Sequence, residues 1–215
     1  MFGSRLAEDD AAAHRYMYLN TGASQDGHIV LQRALANKYQ ITAKTDNSYS
    51  IYGYPASGEV FNINSSGHVT LPYQPCFLAR GNTGGWVSVS SGNEQNVAFG
   101  NVVFDVGSNF STSNNRYTAP VAGKYLFHFH CYMRLSSQDD DTNYATTRFY
   151  KNGSVYENYH NILGYQNSGD SDQIGPLTAI IDLAATDYVT AGLKANNGDA
   201  DFYQPNCNFT GFLIG

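Results

Sequence analysis

His128 and His130 stand two residues apart in KYLFHFH, a spacing that turns both imidazoles to the same face of a strand. With a carboxylate or a third histidine they could hold a metal ion. Lying opposite an aromatic row, they read more plainly as surface or subunit-interface residues. Asp139, Asp140 and Asp141 in SSQDDDTNY, with Asp170 and Asp172 in NSGDSDQ, are the densest acidic groups. Carboxylates beside Ser, Asn and backbone oxygens suit calcium, which makes Asp139, Asp140 and Asp141 candidate ligands. Neither run has the spacing of a dedicated calcium loop, and solvated acidic loops are the plainer reading. The same acids could be a carboxylate pair for glycoside hydrolysis, but no spacing here selects a pair. A nucleophile elbow, a phosphate loop, a paired-cysteine zinc module and a dinucleotide fingerprint are missing. The residues predict binding rather than catalysis.

Tyrosine is the more telling type for that purpose. The chain has 17 of them, and tyrosine rings stack on sugars while their hydroxyls hydrogen-bond at low entropy cost. Tyr144, Tyr156, Tyr159, Tyr165 and Tyr203 fall in or beside expected loops, and the residues assigned to receptor contact are Tyr144, Tyr165, Tyr203, Asp139, Asp140, Asp141, Asp170 and Asp172. Trp86 in GNTGGWVSV reads as the anchor of a domain start. Cys76, Cys131 and Cys207 are odd in number and widely spaced, which reads as buried reduced thiols and synthesis in a reducing cytoplasm. Asn-x-Ser/Thr occurs at Asn64, Asn109, Asn152 and Asn208, a frequency that chance supplies in a chain so rich in Asn and Ser.

The elements that must position these residues are strands. Only 14% of residues are charged and 14% are aromatic, and Gly, Asn, Ser and Thr fill much of the rest. A formal charge of −6, with Lys and Arg scattered, offers no basic field for nucleic acid. No apolar run approaches the roughly 20 residues of a membrane helix, and MFGSRLAEDDAAAHRY carries acids where a secretory signal would be apolar. The expectation is no membrane insertion and no export.

Two regions are expected. Over residues 1–75 the islands HIVLQ, YQITA, YSIYGY, EVFNI and HVTL recur about every ten residues between turns, as short β-turn-β units. One copy holds too few apolar residues for a robust core, which points to chains packed together as a stem. Within it, Leu6 to Met17 is the one plausible helix, or else a frayed tail. Val30 to Tyr39 spaces its apolar residues for either a helix or a strand, and strand is preferred. Residues 76–215 form the head. There Tyr125, Phe127 and Phe129 alternate with Lys124, Leu126, His128 and His130, so an aromatic row faces one side of a sheet.

The series Phe99, Asp105, Phe110, Tyr117, Gly123, Tyr125, Phe127 and Phe129, with Lys151-Asn152-Gly153 at a hairpin turn and the ending NFTGFLIG, resembles the complement C1q globular domain, a relative of the tumour necrosis factor fold. Tyr117 departs from that pattern, where the family usually carries Phe. The resemblance implies an all-β chain whose C-terminal head is a ten-stranded jelly-roll sandwich, assembled as a homotrimer, with calcium near the three-fold axis in some members. Independently, FNINSSGHVTLPYQPCFLAR at residues 61–80, with Pro72 and Pro75 at a joint, is similar to the stem-to-tip junctions of bacteriophage tail fibres. Together they imply a phage tail-fibre or receptor-binding protein at the virion's fibre tip. Its stem would join other virion tail proteins, and loops 136–144, 164–174 and 195–206 would contact a host surface receptor, a glycan, without enzymatic chemistry. The alternatives are a structural virion component (a decoration or adaptor protein) and a secreted complement-like or cytokine-like ligand.

Overall fold

Short alternating islands between Gly, Asn and Ser turns do become strands throughout the computed structural model, which describes residues 4–8, 15–19, 22–135, 144–156, 161–163 and 173–215. The chain divides into two units, Met1–Tyr73 and Gln74–Gly215. Among the described residues no helix is long and apolar enough to cross a membrane.

The first unit holds an antiparallel hairpin, β1 (Ser4–Glu8) and β2 (Arg15–Leu19). This corrects the helix expected from Leu6 to Met17: Leu6 and Met17 are instead cross-strand partners. A helix of about 12 residues is marginal in water without a packing partner, and RYMYL is built of good strand formers. A five-stranded antiparallel meander follows, of β3 (Gly27–Arg33), β4 (Ala36–Ala43), β5 (Tyr49–Gly53), β6 (Gly58–Ile63) and β7 (Val69–Thr70). Val30 to Tyr39 is therefore strand, turned at Ala34 and Leu35 with φ of +50° and +62°. Among the described residues the buried side chains of this unit are Thr42, Ser48 and Ser50, and no apolar side chain is buried in it. Backbone ladders join its strands, and over them lie edge-on ring pairs, Tyr49–Phe61 at 6.2 Å and Tyr52–Tyr54 at 5.1 Å, with polar contacts beside them: Tyr54 donates to Gln40 Oε1 at 2.9 Å, and Lys44 pairs with Glu59.

In the second unit the strands are β8 (Cys76–Gly81), β9 (Trp86–Val89), β10 (Glu94–Asn96), β11 (Phe99–Asp105), β12 (Phe110–Ser111), β13 (Arg116–Thr118), β14 (Gly123–Leu135) and β15 (Tyr144–Lys151). They continue as β16 (Ser154–Val155), β17 (Asn161–Leu163), β18 (Gln173–Leu183), β19 (Tyr188–Asn196), β20 (Ala200–Tyr203) and β21 (Asn208–Leu213). One sheet runs β12-β13-β19-β15-β16, with β10 added on β19 and β17 on β15. The other runs β11-β8-β21-β14-β20-β9, with β18 paired to β14. The all-β sandwich is as expected, and its ten strands appear among the described residues as fourteen pieces, several only two or three residues long.

Between the sheets lies an aromatic core. Tyr125, Phe127 and Phe129 are fully buried, as their alternation requires, and Phe99, Phe110 and Tyr117 of the same series join them, while Asp105 and Gly123 are half-buried. Phe77 stacks on Tyr117 at 4.6 Å and meets Phe209 edge-on at 4.9 Å, Phe99 meets Phe129 at 6.3 Å, and Phe149 links Phe127 to Phe209 at 6.1 and 5.8 Å. Asp105 Oδ2 accepts from the Phe110 backbone N–H at 2.7 Å, closing the loop that brings Phe110 into the core. Gly211 of the C-terminal strand is a packing glycine: a Cβ there would stand 2.5 Å from the Phe127 ring. At the expected hairpin turn Asn152 (φ +52°) and Gly153 (φ +80°) join β15 to β16, and Asn152 accepts from the Tyr188 N–H and donates to Asp187.

Candidate binding surface

The strand that builds the core also builds the site, on its other side. Because side chains alternate along β14, Lys124, Leu126, His128, His130, Tyr132 and Arg134 share the outer face of their sheet. Cross-strand pairing extends each into a row. Leu126 lies beside Ile180 and Phe212, and Phe212 beside Cys76. His128 lies between Thr178 and Thr210, continuing to Leu78 and Phe104. His130 lies beside Asn208, and Asn208 beside Arg80. Arg134 lies beside Asp201. One face thus grades from apolar to polar, aromatic and cationic.

At the apolar end Ile180, Phe212 and Phe104 are 51%, 43% and 46% exposed. In the middle, His128 Nδ1 lies 2.9 Å from Thr178 Oγ1 and His130 Nδ1 lies 3.3 Å from Asn208 Nδ2. Burial, then the nearby His128, lowers the His130 pKa below its ordinary value, so its ring is neutral at pH 7 and accepts from the Asn208 amide. A cavity of about 300 Å³ opens here, lined by Arg80, His130, Tyr132, Pro205, Asn206 and Asn208. A single turn of 3-10 helix, Gln204–Asn206, lifts Pro205 and Asn206 to its rim. The lining mixes a guanidinium, two amides, an imidazole and a phenol ring, the donor-rich set that polar ligands need.

At the far end, three strands distant in sequence bring together Trp86, Tyr132, Arg134 and Tyr203. The Trp86 ring lies 5.3 Å from Tyr203 and 5.6 Å from Tyr132, and the Arg134 guanidinium sits 4.1 Å above the indole. Arg134 is fixed from behind, donating from Nε to Asp201 Oδ2 at 3.0 Å, while Ser88 donates to Asp201 Oδ1 at 2.5 Å. The result is a partly exposed aromatic shelf with a held cation, beside a polar cavity.

Of the residues singled out in the sequence, Tyr203 belongs to this shelf. Tyr144 does not: it opens β15 in the opposite sheet, its Cα paired with that of Asn196. Tyr165, Asp139, Asp140, Asp141, Asp170 and Asp172 lie outside the described residues, and with them the candidate calcium ligands. Among the described residues no group of three or more His, Cys, Asp or Glu is placed to hold a metal ion, so His128 and His130 lack a third ligand there. Trp86, read as the anchor of the head's start, opens β9 and is 37% exposed. Sequence reasoning missed Tyr132, Arg134 and Arg80, and gave Trp86 a structural role alone. Tyr132 and Arg134 were within reach, since they continue the outward parity of His128 and His130. Trp86 and Arg80 come from other strands, and only the sheet order adds them.

Comparison with curated proteins finds no match. Among solved structures the chain is similar to the globular domain of zebrafish complement 1qA protein (18% identity, TM-score 0.44, covering 66% of this chain and 98% of that one). It is similar also to Eiger TNF from S. frugiperda (17%, 0.48, 66% and 94%) and to murine APRIL (13%, 0.46, 66% and 99%). The sequence match carries the assignment: the C1q domain model fits residues 86–214, well over half the chain, with the signature aromatics packed as described, and the protein belongs to the C1q domain family.

Proposed function

We propose that this chain is a phage tail-fibre or receptor-binding protein, a homotrimeric adhesin whose head recognises a host surface glycan by reversible multivalent binding. The observation that carries this reading is the graded outer face of the β14 sheet. Its apolar rows, Ile180–Leu126–Phe212 and Leu78–Phe104, leave large side chains open in a single chain, and a closed assembly of copies covers such a face at no cost in solubility. Its other end presents what sugars are held by: Trp86, Tyr132 and Tyr203 for the apolar faces of a ring, and Arg80, Asn206 and Asn208 for its hydroxyls. The coreless meander of residues 22–73 supports a stem that is stable only against further copies.

Each site need bind only weakly. Three sites engaged together raise avidity by a factor on the order of 10² to 10⁴ without any new contact. The stem joins the fibre to other virion tail proteins and the head forms the tip, with no chemical step on the receptor. Purified protein should sediment as a trimer, bind susceptible cells and compete with intact virus for adsorption. A monomer that neither binds nor competes ends this reading. Labelling on the particle that places the protein at a shell would select the virion structural role instead. Family membership supports one further reading, a secreted complement-like or cytokine-like ligand, which glycans occupying Asn64, Asn109, Asn152 or Asn208 on secreted protein would select.

A further inference from the structure

Two thiols meet in the core directly behind the cavity. Cys207 Sγ lies 3.3 Å from Cys131 Sγ, both residues are fully buried, and 76 positions of chain separate them. They continue the register in which His130 faces Asn208. Cys207 spends its backbone groups elsewhere, its N–H on Gln204 O at 3.1 Å and its carbonyl on the Gly81 N–H at 2.8 Å. The pair therefore occupies a cross-strand position without backbone hydrogen bonds, where antiparallel side chains come closest. The third thiol, Cys76, is on the outer face beside Phe212 and does not compete.

We propose that Cys131 and Cys207 are a modification site, an oxidisable pair whose disulfide staples the floor of the cavity. Cys131 is flanked by His130 and Tyr132, and Cys207 by Asn206 and Asn208, so four of the six lining residues are neighbours in the chain of one sulfur or the other. Closing the bond ties β14 to the segment entering β21 and holds both walls at one separation. The oxidant is a low-molecular-weight disulfide. One protein thiolate attacks it, releasing the first small thiol and forming a mixed disulfide. The second protein thiolate attacks that, releasing the other small thiol. Two protein thiols thus lose two protons and two electrons, which the reagent gains. Burial and the neighbouring sulfur raise the Cys131 pKa well above its ordinary value, so in the closed fold the reactive thiolate is scarce. Exchange accordingly runs during folding or local opening. The bond stands whether or not the cavity binds a host ligand.

The test uses the full chain with Cys76→Ser, which leaves only the pair. The protein is unfolded, refolded in oxidised and reduced glutathione, then denatured in N-ethylmaleimide and weighed intact. The expected product takes up no maleimide, is lighter by two hydrogens, yields one linked peptide pair containing Cys131 and Cys207, and melts roughly 5–10 °C above the same chain kept reduced. Unsubstituted chain, treated in parallel in case the variant misfolds, should take up one maleimide, at Cys76. Maleimide on Cys131 and Cys207, a link between chains or to Cys76, or an oxidised chain that melts no higher than the reduced one overturns the proposal.

Discussion

Tyr117 stacks on Phe77 with ring centroids 4.6 Å apart and 12° between planes, and this contact carries the Tyr117 hydroxyl into the core, where its neighbour the Tyr125 hydroxyl, already donating to the Val121 carbonyl, falls outside good hydrogen-bond geometry. A buried hydroxyl without a well-formed hydrogen bond costs about 1 kcal/mol or more in lost hydration. Tyr117→Phe keeps the stack and removes the cost, so it should raise the melting temperature by a few degrees. Burial also raises the Tyr117 pKa above the ordinary 10.0, so the folded chain holds this proton more tightly than the unfolded one does. That contribution is whole below pH 10 and is lost as pH rises toward the folded value. Urea titrations between pH 8 and 11 should show a shallower alkaline loss in the phenylalanine variant. Some loss should stay, because burial raises Tyr150 in the same way.

Ala34 and Leu35 turn the β3–β4 hairpin with positive φ at both positions, and Leu35 is 93% exposed. Neither residue suits a left-handed conformation, which costs roughly 1–2 kcal/mol per residue with a Cβ. Asn-Gly is the pair this two-residue turn prefers. Replacing Ala34→Asn and Leu35→Gly together should slow amide hydrogen exchange in β3 and β4 several-fold in the full chain. Faster exchange there would show that the turn is not the weak point of the sheet.

The difference between what was and was not legible follows from range. Tyr125, Phe127 and Phe129 could be read as core because strand alternation is a local, period-two property and aromatic residues make it unmistakable. Lys151-Asn152-Gly153 could be read as a turn for the same reason, since Asn and Gly take positive φ at little cost. The helix reading of Leu6 to Met17 failed because alanine content reports propensity, and pairing between β1 and β2 outweighs it. The assembled shelf was beyond reach even though the outward parity of Tyr132 and Arg134 was not, because Trp86 and Tyr203 join them only through the order of β9, β20 and β14 in one sheet. The Cys131–Cys207 contact is the same kind of fact: an odd number of cysteines says nothing of which two meet.

The apolar rows give the assembly its sharpest test. Ile180 and Phe212 flank Leu126 on the outer face and contribute little to the core of their own chain. Ile180→Glu with Phe212→Glu should therefore leave the far-ultraviolet circular dichroism of a β-sandwich unchanged while reducing the sedimenting mass to that of one chain. Carboxylates buried in a covered interface cost several kcal/mol each unless paired, enough to dissociate a trimer at micromolar concentration. Unchanged trimers would move the interface to another face.

Trp86 and Arg80 separate the two parts of the polar end. Trp86 shares the shelf with Tyr132 and Tyr203 and lies under Arg134, so Trp86→Ala removes the stacking surface and leaves Arg134 held by Asp201. Arg80→Ala removes the cavity's guanidinium and leaves the shelf whole. If a glycan spans both, each substitution should weaken single-site binding by about tenfold to a hundredfold, as expected when one good stacking or charged contact worth roughly 1.5–3 kcal/mol is lost. With three sites engaged together, as proposed, the loss per site compounds, and adsorption of cells should fall further than affinity for a monovalent oligosaccharide does. The comparison that decides is between those two readouts. Loss in both, larger on cells, places the receptor on this face, whereas normal adsorption by both variants would return recognition to the loops at 136–144 and 164–174.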